Sequence, residues 1–137
     1  KKRRRGWMAK SELKPYILKT SSGEIAEFPL SVWNLIGKKI PVGGGGFFRL
    51  YPYWMTKAMM KNINSSGQPV IVYLHPWEID IAQPRLKSLL SFDGFNHYVG
   101  LKSTSKKLQK LLLDFKFMRI KDYLGNMFSN LDIIRKE

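Results

Sequence analysis

The 137 residues contain no cysteine. Disulfide frameworks, thiolate nucleophiles and cysteine metal ligands are therefore excluded for this chain, which suits a reducing compartment. Histidine is scarce too: His75 and His97 are the only two, and neither belongs to a His-x-x-x-His or His-Glu-x-x-His pattern. A catalytic zinc site takes three protein ligands plus water, so this chain alone is expected to hold no metal. No apolar run approaches the ~20 residues that a membrane helix needs, and no membrane span is expected. The basic start is not followed by an apolar stretch, so no secretory signal is expected either. Acidic residues are few, ten against twenty-four lysines and arginines, for a net charge of +14.

That excess is partly local. Lys1 to Arg5 contribute five of the positive charges, and without them nineteen basic residues face ten acidic ones, a balance of +9. Such a surface suits phosphates, acidic glycans or anionic lipids. No base-reading helix or RNA-stacking aromatic motif accompanies it, so nucleic acid is not an expected partner. Residues 1–14 read as a basic arm and 15–137 as one domain. Apolar residues make up 44% of the chain, enough for a core.

The stretch on which the domain turns is 70–78, VIVYLHPWE. An apolar run bracketed by Pro69 and Pro76 reads as a fully buried strand. It delivers His75, Trp77 and Glu78 at its C-terminal end, where α/β proteins build sites. Imidazole changes charge near neutral pH, and a nearby carboxylate can fix its tautomer. Glu78 or Asp80 could fold back to do so.

The second informative stretch is 40–53, IPVGGGGFFRLYPY. Four successive glycines allow positive φ and close approach of another group. No Gly-Lys-Ser/Thr follows, so this is not a phosphate loop. It reads as a flexible turn, or as a glycan-facing loop in which Gly45 and Gly46 meet substrate. Arg49, alone among aromatics, is a candidate for a bidentate carboxylate or anion contact; a surface cation stacked on a ring is the alternative. Tyr51, Trp54 and Trp77 could supply platforms for sugar rings or could pack in the core.

Around these, 15–20 reads as short and extended and 24–32 as a strand, with Pro29 pushing it to a sheet edge or to the strand's end. Residues 52–63 and 105–115 read as helices, the latter from Leu108, Leu111, Leu112 and Phe115 with Thr104 or Ser105 as cap. Residues 86–91 read as a turn of helix, 97–99 and 117–120 as short extended pieces, and 121–134 as a weak amphipathic helix. Alternating strands and helices predict α/β packing with parallel strands, in too few units to close a barrel.

GGGGFFRLYPY, followed by VYLHPWEID, QPR, FNHY and LLLDFKFMRIKDYL, resembles the C-terminal segment of bacterial polysaccharide deacetylases of the subgroup linked to exopolysaccharide loci with exosortase-type sorting. In that subgroup it is a domain of unknown function. The resemblance covers roughly 15–124. It implies the last units of a distorted β/α barrel, a divalent metal (usually zinc) and hydrolysis of acetyl groups on a glycan, in the cytoplasm or at the membrane of a bacterium. In the family an early Asp and a His-x-x-x-His pair hold the metal, another early Asp is the base, and a late histidine protonates the leaving amine. By position that histidine is His75, with Arg49 and Glu78 as supports. The metal ligands and the base have no counterpart here, so the partners implied are the polysaccharide and a missing N-terminal half. The alternative is a stand-alone glycan-binding or polysaccharide-assembly module.

Overall fold

The computed structural model describes residues 13–84, 95, 97–129 and 135–136. The chain divides into two compact units, one formed by Lys1–Pro29 with Met118–Glu137 and the other by Leu30–Phe117. Among the described residues the architecture is mixed α/β, with four α-helices and two small sheets. No helix among them is long and apolar enough to cross a membrane.

In the first unit, β1 (Tyr16–Thr20) and β2 (Gly23–Glu27) form an antiparallel hairpin, with Thr20 opposite Gly23. The Thr20 hydroxyl donates to the Gly23 carbonyl at 2.8 Å and closes the turn. β1 falls within the expected extended stretch, while β2 covers only the first part of the expected 24–32 and stops two residues before Pro29, which cannot donate to a ladder. The two-residue strand β5 (Arg135–Lys136) pairs in parallel with β1. Helix α4 (Ile120–Ser129) begins beside a two-point Arg119–Asp122 ion pair at 2.8 and 2.9 Å. Tyr123 meets Phe28 edge to face, ring centres 5.9 Å apart. Residues 117–119, expected as extended with Ile120, form no strand, and Ile120 already belongs to the helix.

The second unit opens with β3 (Val32–Leu35) and β4 (Lys38–Pro41), an antiparallel hairpin turning at Ile36 and Gly37 with φ of 49° and 77°. Paired positive φ is the type I′ geometry that matches strand twist. Helix α1 (Gly45–Leu50) and helix α2 (Tyr53–Ser65) follow, separated by Tyr51 and Pro52. The residues α2 buries are Thr56, Met59, Met60 and Ile63, an i, i+3, i+4, i+7 stripe. The last long element, α3 (Leu101–Asp114), starts four residues before its expected position. Gly100, with φ +72°, is its N-cap residue, and the Ser103 and Thr104 hydroxyls bond back to the Gly100 carbonyl at 2.9 and 3.0 Å. Thr104 is therefore fully buried without an unpaired hydroxyl.

Two expectations need correction. Residues 70–74 are extended but form no strand: one isolated parallel bridge links Tyr73 to Gly44. Val70, Ile71, Val72 and Leu74 are only half-buried. The backbone finds irregular partners instead, Ile71 N–H donating to the Ser31 hydroxyl and Tyr73 N–H to the Gly43 carbonyl, at 2.8 and 2.9 Å. Gly43 has φ +88°, and a Cβ there would lie 2.3 Å from the Ile71 oxygen, so only glycine permits this crossing. The second correction concerns 97–99: His97 and Tyr98 are helical and Val99 follows in a turn, its N–H reaching the Phe95 carbonyl at 2.9 Å. The expected helical turn at 86–91 lies outside the described residues.

The core joins Val42, Phe48, Met59, Met60, Ile63 and Leu111, with Trp33, Ile40, Val72, Leu74 and Leu108 among the side chains packed on it. Met59 and Met60, flexible and unbranched, are gap-fillers of that core. Asp114 ties α3 to α2 through the Lys57 ammonium at 2.7 Å and the Tyr53 hydroxyl. Those two hydrogen bonds, the one from Lys57 first, hold the Asp114 carboxyl below its ordinary pKa of 3.8. Leu111 and Leu113 make a direct test of the packing, being 0% and 87% exposed. Leu111→Ala is expected to cost about 2–5 kcal/mol in urea unfolding, and Leu113→Ala less than about 0.5 kcal/mol.

Candidate functional site

The site is built on a short 3₁₀ turn, Pro76–Glu78. Proline pushes the preceding residue out of the helical region, and His75 is extended with φ −91° and ψ 148°. Pro76 then occupies the first helical position, where its missing N–H costs nothing. The turn swings the Glu78 carboxylate back over its own start, where Oε2 accepts the His75 main-chain N–H at 2.8 Å. The Glu78 N–H donates to the His75 carbonyl at 3.0 Å. The sequence suggests a carboxylate on the His75 ring; the structure gives one on the His75 backbone.

The other carboxylate oxygen of Glu78 pairs with Arg49. Arg49 Nε donates to Oε1 at 3.2 Å, and both side chains are 3% exposed. One terminal nitrogen of Arg49 donates to the carbonyls of His97 and Val99 at 2.6 and 3.1 Å. The guanidinium also lies 5.0 Å from the Trp77 ring centre, within cation–π range. Arg49, a candidate for a bidentate carboxylate or anion contact or for a surface cation stacked on a ring, is buried and meets the Glu78 carboxylate through Nε. It sits in helix α1 and its described bonds are internal, because FFRL places Phe48 and Arg49 on the buried side of a helix.

Gly45 explains how the pair fits. It is the first residue of α1, and a Cβ on it would lie 1.8 to 2.1 Å from three atoms of the Glu78 carboxylate. The carboxylate occupies the volume a side chain would need. Gly46 is exposed, with nothing within 4 Å of where its Cβ would stand. Two of the four glycines, Gly45 and Gly46, thus begin helix α1, with Gly44 as its N-cap residue.

The far end of α1 is held equally firmly. Lys107, from α3, donates to the carbonyls of Phe48, Arg49 and Tyr51 at 3.3, 2.8 and 2.8 Å. These lie at the end of α1, where carbonyls lack intrahelical partners. Desolvation of its ammonium lowers the Lys107 pKa from 10.5. Gly100 closes against the same helix, since a Cβ there would come within 2.4 Å of the Arg49 carbonyl oxygen.

On this frame sits a run of rings. Tyr73 meets His75 edge-on at 4.7 Å, and the His75 and Trp77 rings lie 15° from parallel with centres 6.0 Å apart. Trp77 stacks on His97 at 4.3 Å and 6°, and His97 meets Tyr98 edge-on at 4.6 Å. His75 is exposed. Of the residues singled out in the sequence, His75, Glu78, Arg49, Trp77 and Gly45 therefore meet. Tyr51 meets Phe47 at a tilt of 32° and packs on the core, and Trp54 is 72% exposed; neither shares a ring contact with the His75 group.

His97, Gln83 and Lys107 escape a reading of the sequence as parts of this site. FNHY marks His97 as aromatic-flanked, but nothing local ties it to a turn twenty residues earlier. Among the described residues no three or more His, Cys, Asp or Glu side chains cluster so as to hold a metal ion. The described residues do not fit the divalent cation that the resemblance implies.

Residues 1–125 match the sequence profile of a family described as Domain of unknown function (DUF3473). The match includes the basic start. No curated protein and no solved structure matches the chain.

Glu78→Gln leaves the buried guanidinium without its counter-charge and is expected to cost about 3–5 kcal/mol in urea unfolding. Gly45→Ala is expected to destabilise the wild type and to cost far less in a Glu78→Ala background, because the methyl then has room. A double-mutant cycle with additive costs would refute the contact.

Proposed function

The chain belongs to the DUF3473 family, and from that premise we propose that it is the C-terminal part of a metal-dependent polysaccharide deacetylase. In this reading it carries the general acid, His75, and lacks the metal-binding half, which is supplied in the same chain or a separate one. The observation that carries the reading is the state of His75. Its imidazole is exposed, while its peptide N–H is fixed to a buried ion pair. An acid held on a rigid turn reaches the leaving atom of a bound substrate at less orientational cost than a mobile one.

Hydrolysis of an acetamide breaks the carbonyl carbon–nitrogen bond. The nitrogen leaves as an amine only if it gains a proton as that bond breaks. The ring N–H of His75 gives that proton, and the neutral imidazole regains one from solvent. Arg49 and Glu78 are supports: they touch no substrate and hold the turn on which the acid stands. The cation would be held by residues outside those described here. Polysaccharide is the substrate class, and the cytoplasm or its membrane face in a bacterium is the location.

One observation favours a second reading, a stand-alone glycan-binding module. Trp54 is 72% exposed on α2 and Tyr73 51% exposed beside His75, and such rings are platforms for the apolar faces of sugars.

In the intact enzyme, His75→Ala is expected to lower turnover by about 10²–10⁴-fold, the usual worth of general-acid help, with bound metal unchanged. The isolated chain with zinc is expected to release no acetate from acetylated chito-oligosaccharide. Unchanged turnover in His75→Ala, or acetate release by the pure chain, would overturn the first reading. Saturable tryptophan quenching of the isolated chain by oligosaccharide, lost in Trp54→Ala, would establish the second.

A further inference from the structure

His97 contributes to this site through two different atoms. Its ring stacks on Trp77 at 4.3 Å, and its carbonyl accepts from the guanidinium of Arg49 at 2.6 Å. Its Nε2 lies 2.8 Å from Gln83 Oε1. The Gln83 amide is itself fixed, for its nitrogen donates to the Trp77 and Asp80 carbonyls at 3.0 and 2.9 Å. Turning the amide over would set its oxygen against two carbonyl oxygens. Gln83 therefore presents an acceptor to His97, and the ring atom facing an acceptor must carry hydrogen.

We propose that His97 is the positioning residue of this site, held as the Nε2–H tautomer by Gln83 so that its ring fixes the Trp77 indole beside His75. One closed circuit and one open chain of contacts meet in it. One runs from the Trp77 carbonyl through Gln83 to the His97 ring and back to the Trp77 indole. The other runs from the His97 carbonyl through Arg49 and Glu78 to the His75 N–H. A displaced His97 ring would free Trp77, and with it the surface against which His75 rests. The positioning role rests on His75 being the working group; the tautomer does not.

The test uses the full chain labelled with ¹⁵N, in which the two histidines give two separable sets of ring signals, assigned with a His75→Gln variant. Long-range ¹H–¹⁵N correlation of the neutral rings is expected to show His97 protonated on Nε2 alone. Gln83→Leu is expected to release His97 into a mixture of tautomers. His97→Phe, which keeps a flat ring on Trp77, is expected to leave the His75 and Trp77 indole signals near their wild-type positions, whereas His97→Ala shifts both. A wild-type His97 protonated on Nδ1, or a mixture of both forms, overturns the proposal without any variant having to fold. So do unmoved His75 and Trp77 signals in a folded His97→Ala chain. None of these readouts involves acetyl release, so the deacetylase reading and this one fail separately.

Discussion

A single buried ion pair organises the second unit. Arg49 and Glu78 lie twenty-nine residues apart and are nearly sealed from solvent. Withdrawing two charges from water is costly, and the attraction between them repays that cost only when the remaining donors and acceptors are also satisfied. Here they are: the guanidinium reaches two further carbonyls and the carboxylate a further peptide N–H. No buried side-chain nitrogen or oxygen among the described residues is left without a partner. The pair adds specificity as well as energy, because a slip of the 3₁₀ turn by one residue would strand both charges. That constraint is what makes residues 75–78 a fixed platform in a stretch otherwise poor in regular structure.

The glycines are the steric counterpart of that pair. Gly43 lets the chain cross within touching distance of the Ile71 carbonyl, Gly45 yields its side-chain volume to the Glu78 carboxylate, and Gly100 lets the start of α3 touch α1. Gly45 and Gly46, the first two residues of α1, are each less favourable in a helix than alanine by up to about 1 kcal/mol. That α1 nevertheless begins among them shows tertiary contact overruling local preference.

The same override marks the limit of what the sequence discloses. Hairpin β1–β2 and helix α2 are legible because their signals are local: alternation, a turn, a proline before the helix and an apolar stripe. His75, Trp77 and Glu78 are legible as a group because they are neighbours in the chain. Their roles are not. Whether Glu78 meets the ring or the backbone of His75 depends on the turn geometry, and whether Arg49 faces a ligand or the interior depends on α1 being helical. The apolar run 70–74 reads as a strand by composition, yet Ser31 and Gly43 supply its partners from forty and about thirty residues away, which no pattern in the run encodes. His97, Gln83 and Lys107 act wholly through such distant contacts.

Helix α1 has six residues, too few to persist alone in water. Its first turn is shaped around a carboxylate from residue 78 and its last carbonyls are gathered by an ammonium from residue 107. It is thus a segment with borrowed ends, and both lenders come later in the chain. Both supports exist only once residues 78 and 107 have been made. Any natural or engineered break between the glycines and Lys107 must leave the pieces associated, or the helix dissolves along with the platform it carries.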